Sequence, residues 1–269
     1  MPIMTLFSGA ALLLAPLLAQ AAPAPAAGVP TLAVKITARY PHQTDAFTEG
    51  LVWSGGNLLE GTGLVGQTEL REVTPKTGEV RRRRTPPRAD VFGEGVTVLG
   101  NRVYQLTWQS KVAFVYDRSS WKLLATLPYD TEGWGLTNDG KNLIQSDGSA
   151  TLTWRDPATF KAVKQVQVTA GGQPVNNLNE LEYVNGNIYA NVWLTDRVAR
   201  IDPASGKVTA WLDLGPLVAE VTALNSVQGR QTSSDDVANG IAYNPQTKRL
   251  LLTGKRWPLL FEVSVQDAP

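Results

Sequence analysis

One pattern of apolar and polar positions recurs five times along the chain: FTEGLVWSGGNLLEGTG, FGEGVTVLGNRVYQLTW, EGWGLTNDGKNLIQSDG, LNELEYVNGNIYANVW and ANGIAYNPQTKRLLLTGK. An apolar anchor marks each copy (Leu51, Val96, Leu136, Leu181 and Ile241), so the steps are 45, 40, 45 and 60 residues. Seven residues after the first four anchors comes a second apolar position, at Leu58, Val103, Leu143 and Ile188; the last copy takes nine, to Leu250. Between the two positions stand Gly55-Gly56-Asn57, Gly100-Asn101, Asp139-Gly140, Asn185-Gly186 and Asn244-Pro245. Most of these residues tolerate the positive φ of a tight hairpin. A third segment alternates with period two, as from Lys111 to Tyr116. Fourth strands are predicted over Trp121 to Leu127, Phe160 to Val168 and Lys207 to Leu214, with Pro- and Gly-bearing turns at 74–78, 156–159 and 202–206.

Four-stranded units at steps of 40 to 45 residues are the size of a propeller blade. The expected fold is therefore all-β, a five-bladed β-propeller over residues 31–269. The longer last step leaves room for a short helix within 215–230. The last copy has only three strands, ending at Val265, while residues 31–40 (TLAVKITARY) are strand-like and unassigned. They are expected to supply the missing strand and close the ring.

Packing positions should be alike in every copy, so the positions that differ are informative. Two residues before the anchors stand Glu49, Glu94, Trp134, Asn179 and Asn239. Twelve residues after them stand Gly63, Trp108, Gly148 and Trp193, with Lys255 at the matching place in the longer copy. Both sets fall where the innermost strand begins, and so should ring one mouth of the channel. Trp53, Trp121, Trp154, Trp211 and Trp257 lack this register and are read as packing. Arg81 to Arg84 is read as an exposed edge strand whose charge blocks sheet-to-sheet pairing.

Residues 5–22 form an uncharged apolar run ending in Ala19-Gln20-Ala21. This reads as a signal peptide over 1–22, with an Ala/Pro-rich linker over 23–30 and a periplasmic or extracellular destination. With no cysteine, the fold has no disulfide and no thiol chemistry. Its single histidine excludes a multi-histidine metal site, and no Ser-His-Asp triad is read around it. A net charge of +1 gives no footprint for nucleic acid. Gly61, Gly63 and Gly66 fit a dinucleotide-loop string but precede a strand rather than a helix. No membrane association is expected after signal cleavage, and a monomer is expected by analogy of fold.

Indole walls with carboxylates suit a small amine-bearing group. A carboxyl among indoles is desolvated, which raises its pKa toward neutrality and fits it to shuttle protons. With no activated nucleophile in view, the substrate would supply its own. Two other readings share these residues. One is a calcium-dependent, lactonase-like propeller with Glu49, Glu94, Asn179 and Asn239 as oxygen ligands. The other is a binding or scaffold propeller without activity. No cofactor is required by the chemistry, and a structural calcium ion is compatible with every reading.

The motifs FTEGL, LEGTG, GQTELREV, FGEGVTVLGNRVYQLTWQSKVAFVYD, EGWGLTNDGKNLIQSDGSATL, NELEYVNGNIYANVW, RIDPASGKV, NGIAY and LLLTGKRWPLLFEV span residues 40 to 265. Together they resemble the plant and bacterial type of glutaminyl-peptide cyclotransferase. That resemblance implies a five-bladed propeller acting on peptides or proteins with N-terminal glutamine. The product is pyroglutamate, with release of ammonia and no covalent intermediate. It implies Glu94 as the proton-transfer residue, Trp108, Trp134 and Trp193 as pocket walls, and Asn179 and Lys255 as polar groups around the reacting amide. Glu49 and Asn239 are expected to bind substrate. Glu49 departs from the family's frequent glutamine in this motif. It could hold the substrate ammonium or raise the pKa of Glu94 by like-charge repulsion.

Overall fold

The computed structural model describes residues 28–265. The expected signal peptide and residues 23–27 of the linker lie outside the described residues. Among the described residues the chain is all-β apart from one helix. Strand β1 (Thr31–Pro41) is followed by the antiparallel sheet β2–β5 (Thr48–Ser54, Asn57–Thr62, Glu69–Thr74, Glu79–Arg84). A second such sheet is β6–β9 (Gly93–Leu99, Arg102–Thr107, Val112–Asp117, Leu123–Pro128). A third is β10–β13 (Leu136–Asn138, Leu143–Gln145, Thr151–Arg155, Ala162–Gln167). A small hairpin, β14–β15 (Thr169–Ala170, Gln173–Pro174), precedes β16–β19 (Leu178–Val184, Asn187–Val192, Arg197–Ile201, Val208–Asp213). Helix α1 (Gly215–Val227) then leads to β20–β22 (Ala238–Asn244, Arg249–Gly254, Leu259–Val265).

Every anchor lies in the first strand of its copy and is essentially buried, as are the second apolar positions. This is why the same spacing recurs: each pair locks a first hairpin into the core between neighbouring sheets. Strand β1 pairs antiparallel with β22 along most of its length, matching Val34 with Val265 and Pro41 with Leu259. Its first three residues also run parallel to β19, at Thr31 to Ala33. Strands β16–β19 and β20–β22 are thereby joined through β1 into one eight-stranded sheet.

The only histidine fastens this junction. His42 Nδ1 lies 2.7 Å from the Trp257 carbonyl oxygen and Nε2 lies 2.9 Å from Glu60 Oε1. Both partners accept, so both ring nitrogens carry hydrogens and the ring is an imidazolium. Burial opposes that charge, but Glu60 outweighs it and His42 stays protonated above its ordinary range. Thr48 Oγ1 donates to the same Glu60 oxygen at 2.7 Å.

Strand β5 is more than a charged edge. The Arg82 guanidinium lies 4.4 Å over the Trp121 ring and Arg84 lies 5.1 Å over Tyr116, so alternate arginines cement the first sheet to the second. Trp121, Trp154, Trp211 and Trp257 are buried in the packing, and Trp53 is half-buried. Among the described residues, no helix is long and apolar enough to cross a membrane.

Candidate active site

The odd residues of the repeat stand where strand regularity breaks. Pairing of the first strand slips between Thr48 and Gly50, Gly93 and Val96, Leu178 and Leu181, and Ala238 and Ile241. Glu49, Glu94, Asn179 and Asn239 stand within those four slips. A bulge re-aims a side chain out of the alternation of its sheet. Trp134 stands just before β10, its backbone N–H donating to the Ser146 carbonyl at 3.1 Å.

In four copies the next residue is glycine: at Gly50, Gly95 and Gly135 neighbouring copies touch backbone to backbone, and Gly240 takes a positive φ. A Cβ on Gly95 would lie 2.5 Å from Leu136 N, and one on Gly135 would overlap the Asn179 carbonyl oxygen. The fourth copy has Glu180 at this position. Its carboxyl accepts from Leu51 N at 3.0 Å and from Ile241 N at 2.8 Å, tying β16 to β2 and β20.

The loops after the second strands come to the same end. The backbone N–H groups of Gly63, Trp108, Trp193 and Lys255 donate to the carbonyls of Phe47, Phe92, Asn177 and Val237, at 2.8 to 3.0 Å. Each acceptor lies four residues before its anchor. Where the loop position is glycine, a neighbouring ring fills the space: a Cβ on Gly148 would lie 2.6 Å from the Trp134 indole.

These constraints bring Glu49, Glu94, Trp108, Trp134, Asn179, Trp193 and Lys255 around one cavity of about 250 Å³, together with Phe47, Leu64, Phe92 and Asp235. Asn239 stands behind the wall rather than on it. Its Nδ2 donates to Glu49 Oε2 at 3.2 Å and to the Thr48 carbonyl at 3.0 Å. A more open depression of about 630 Å³ lies at the opposite ends of the strands, around Asn101, Arg102 and Lys141. Its one carboxylate, Asp117, is already engaged by Asn101, Ser119 and Ser120.

The two cavity carboxyls differ. Burial pushes Glu49 up to about 7, against the pull of Lys255, whose Nζ lies 2.8 Å from Oε1. Burial pushes Glu94 well above the carboxylate range, and the neighbouring Glu49 charge adds to it. Among the described residues, no side chain or backbone group is hydrogen-bonded to the Glu94 carboxyl. Asn179 Oδ1 is likewise buried without a partner. The Trp134 and Trp193 rings meet edge to face at 5.5 Å. Glu132 Oε2 holds two walls at once, accepting from Trp108 Nε1 at 2.6 Å and from Trp134 Nε1 at 3.2 Å.

Phe47, Leu64, Phe92, Glu132 and Asp235 escaped the sequence reading. Phe47, Phe92 and Glu132 carried a usable signal, since all three lie four residues before an anchor. Leu64 and Asp235 lie in loops that the repeat does not align.

Among the described residues, no group of three or more His, Cys, Asp or Glu side chains is placed to hold a metal ion. A cation at Glu49 would compete with the Lys255 ammonium already beside it.

Propeller-like sheets with a buried acid–base pair in an aromatic pocket at the strand ends define the class. The chain belongs to the glutamine cyclotransferase family, whose profile matches residues 9–265. It is 39% identical over 237 residues to the glutaminyl-peptide cyclotransferase of Arabidopsis thaliana, covering 87% of this chain and 72% of that protein. The crystal structure of Myxococcus xanthus glutaminyl cyclase superposes with a TM-score of 0.82 at 37% identity, over 90% of this chain and all of that one.

Proposed function

We propose that this chain converts the N-terminal glutamine of peptides and proteins to pyroglutamate with release of ammonia. The observation that carries the mechanism is Glu94: a buried carboxyl of raised pKa, unbonded by the protein, on the wall of an indole-lined cavity. A cavity of about 250 Å³ lies just below the range of ligand pockets, about 300–1,000 Å³, so one terminal residue suits it.

The substrate's neutral α-amine attacks its own side-chain amide carbon. As the carbon–nitrogen bond of the ring forms, Glu94 takes a proton from the attacking amine. It returns that proton to the amide nitrogen, whose bond to carbon then breaks and releases ammonia. A carboxyl raised by burial can take up a proton and hand it on, so one group does both jobs. Lys255 and Asn179 stabilise the amide oxygen as it gains charge. The indoles of Trp108, Trp134 and Trp193 hold the reacting chain folded, the main requirement of an intramolecular closure. Glu49 keeps Lys255 oriented, and Asn239 keeps Glu49. No step calls on a metal or cofactor. The central carboxyls Glu180 and Glu182 accept backbone N–H groups.

The test is incubation with a Gln-initiated peptide, with and without chelator, following ammonia and loss of its mass from the peptide. Absence of both products at every pH would sink the reading in favour of a binding propeller. Chelator sensitivity would return the calcium reading.

The same reading takes the eight-stranded sheet as two blades bridged by β1, giving a ring of five, exported and monomeric. The ring is supported by the order of packing of the first strands: β2 on β6, β6 on β10, β10 on β16, β16 on β20 and β20 on β2. Deleting residues 31–41 should abolish soluble, cooperative folding. An undiminished melting transition in that variant overturns closure by β1.

A further inference from the structure

The inserted segment between α1 and β20 places a carboxylate at the mouth of the cavity. Asp235 lines the cavity yet is solvent-exposed, unlike Glu49 and Glu94. Its neighbour anchors it. Asp236 Oδ1 pairs with Arg256 Nη1 at 2.7 Å, and its Oδ2 accepts from Ser233 N at 2.8 Å. The Asp236 carbonyl accepts from Trp257 Nε1 at 2.9 Å. Two residues on, the Val237 carbonyl accepts the Lys255 N–H at 2.9 Å. The two residues that follow Asp235 are thus tied down, while its own carboxylate has no ion-pair partner among the described residues. Lys255, which lines the same cavity, is paired with Glu49, and Arg256 is paired with the neighbouring Asp236. The half-buried Leu64, with the exposed Val65 beside it, supplies apolar surface to the same mouth.

We infer that Asp235 selects the residue that follows the glutamine, favouring lysine or arginine. This rests on the proposed cyclisation. If the glutamine fills the cavity, the second residue must lie across its mouth. A long basic side chain can lay its methylene stem on Leu64 and Val65 and bring its charge to Asp235. An acidic second residue meets the like charge of Asp235 there.

The experiment measures kcat/KM for Gln-Lys, Gln-Ala and Gln-Glu peptides otherwise identical, at low salt, with the native chain, Asp235→Asn and Asp235→Lys. Each value is divided by that of the Gln-Ala peptide on the same protein. Any effect of Asp235 on the nearby Glu49 is common to all three peptides and cancels in the ratio. The native chain should favour Gln-Lys over Gln-Glu by about 3- to 10-fold, the scale of one solvated attraction replaced by one repulsion. The ratio should fall to near one in Asp235→Asn, invert in Asp235→Lys, and shrink with added salt. An identical ratio in all three proteins overturns the inference and leaves the cyclisation reading intact. No cyclisation of any peptide by the native chain overturns the reading itself.

Discussion

Two pairs of buried glutamates lie in this molecule, and they are put to different uses. Glu180 and Glu182 sit in β16 at the centre of the sheets; Glu49 and Glu94 line the cavity at the strand ends. All four are raised above the ordinary carboxylate range, and burial is the first cause in each. The difference lies in what the oxygens touch. Glu180 accepts from Leu51 N and Ile241 N, and Glu182 accepts from Tyr243 N and Thr137 Oγ1. Glu49 is held by Lys255 and Asn239, and Glu94 by no protein group. Desolvation alone does not make a carboxyl a catalyst. A desolvated carboxyl whose lone pairs face a cavity can still exchange a proton with a guest.

The sharpest consequence concerns Glu94. Glu94→Gln keeps the shape and removes the proton exchange, so kcat should fall about 10²-fold or more while Tm holds. Near-normal turnover by the folded variant would end its role. Glu180→Ala should behave in the opposite way. It leaves the N–H groups of Leu51 and Ile241 without an acceptor, at about 1–3 kcal/mol each, so stability should drop by about 2–6 kcal/mol. Turnover per folded molecule should stay near native. A stable Glu180→Ala protein would mean that these N–H groups find other partners.

The raised groups also set the sign of the pH dependence. A carboxyl whose folded pKa exceeds its unfolded value contributes fully below the unfolded value of about 4.5 and loses that contribution as pH rises through the folded one. Glu182, pushed up to about 8, and Glu49, at about 7, cross this window between pH 5 and 8. His42, raised by Glu60, acts in the same direction: its contribution is complete below about 6.5 and is lost as pH rises through its higher folded value. Glu60, held low, is lost only in acid. Tm should therefore fall from pH 5 to pH 8, and Glu182→Gln should flatten the slope. A Tm that rises over this range contradicts the protonated state of the central pair.

The contrast between the pairs was half visible in the sequence. Glu49 and Glu94 stood out because the repeat supplied a register in which they were irregular. The anchors and hairpin turns were legible for the same reason: local spacing decides them. Glu180 was hidden in that register one place further on, where glycine in the other copies marks backbone contact between neighbours. His42, Arg82 and Arg84 could not be read, since each acts on a partner brought near only by the fold. Asp235 belongs to an insertion without counterpart in the repeat. Glu132 was readable in principle, at the same distance from its anchor as Phe47 and Phe92.

Glu132 is also the subtlest test of how the cavity is held open. Its carboxylate accepts from two indole N–H groups, and a charge-assisted bond is roughly twice as strong as a neutral one. Glu132→Gln retains one acceptor oxygen but loses the charge. The Trp108 and Trp134 walls should then lose part of their shared anchor, and KM should rise about 3- to 10-fold with a smaller change in kcat. The group does not touch the reacting amide in this scheme, so the shape of the pH–rate profile should persist. A profile that shifts instead would move Glu132 from holding the walls to sharing the proton with Glu94.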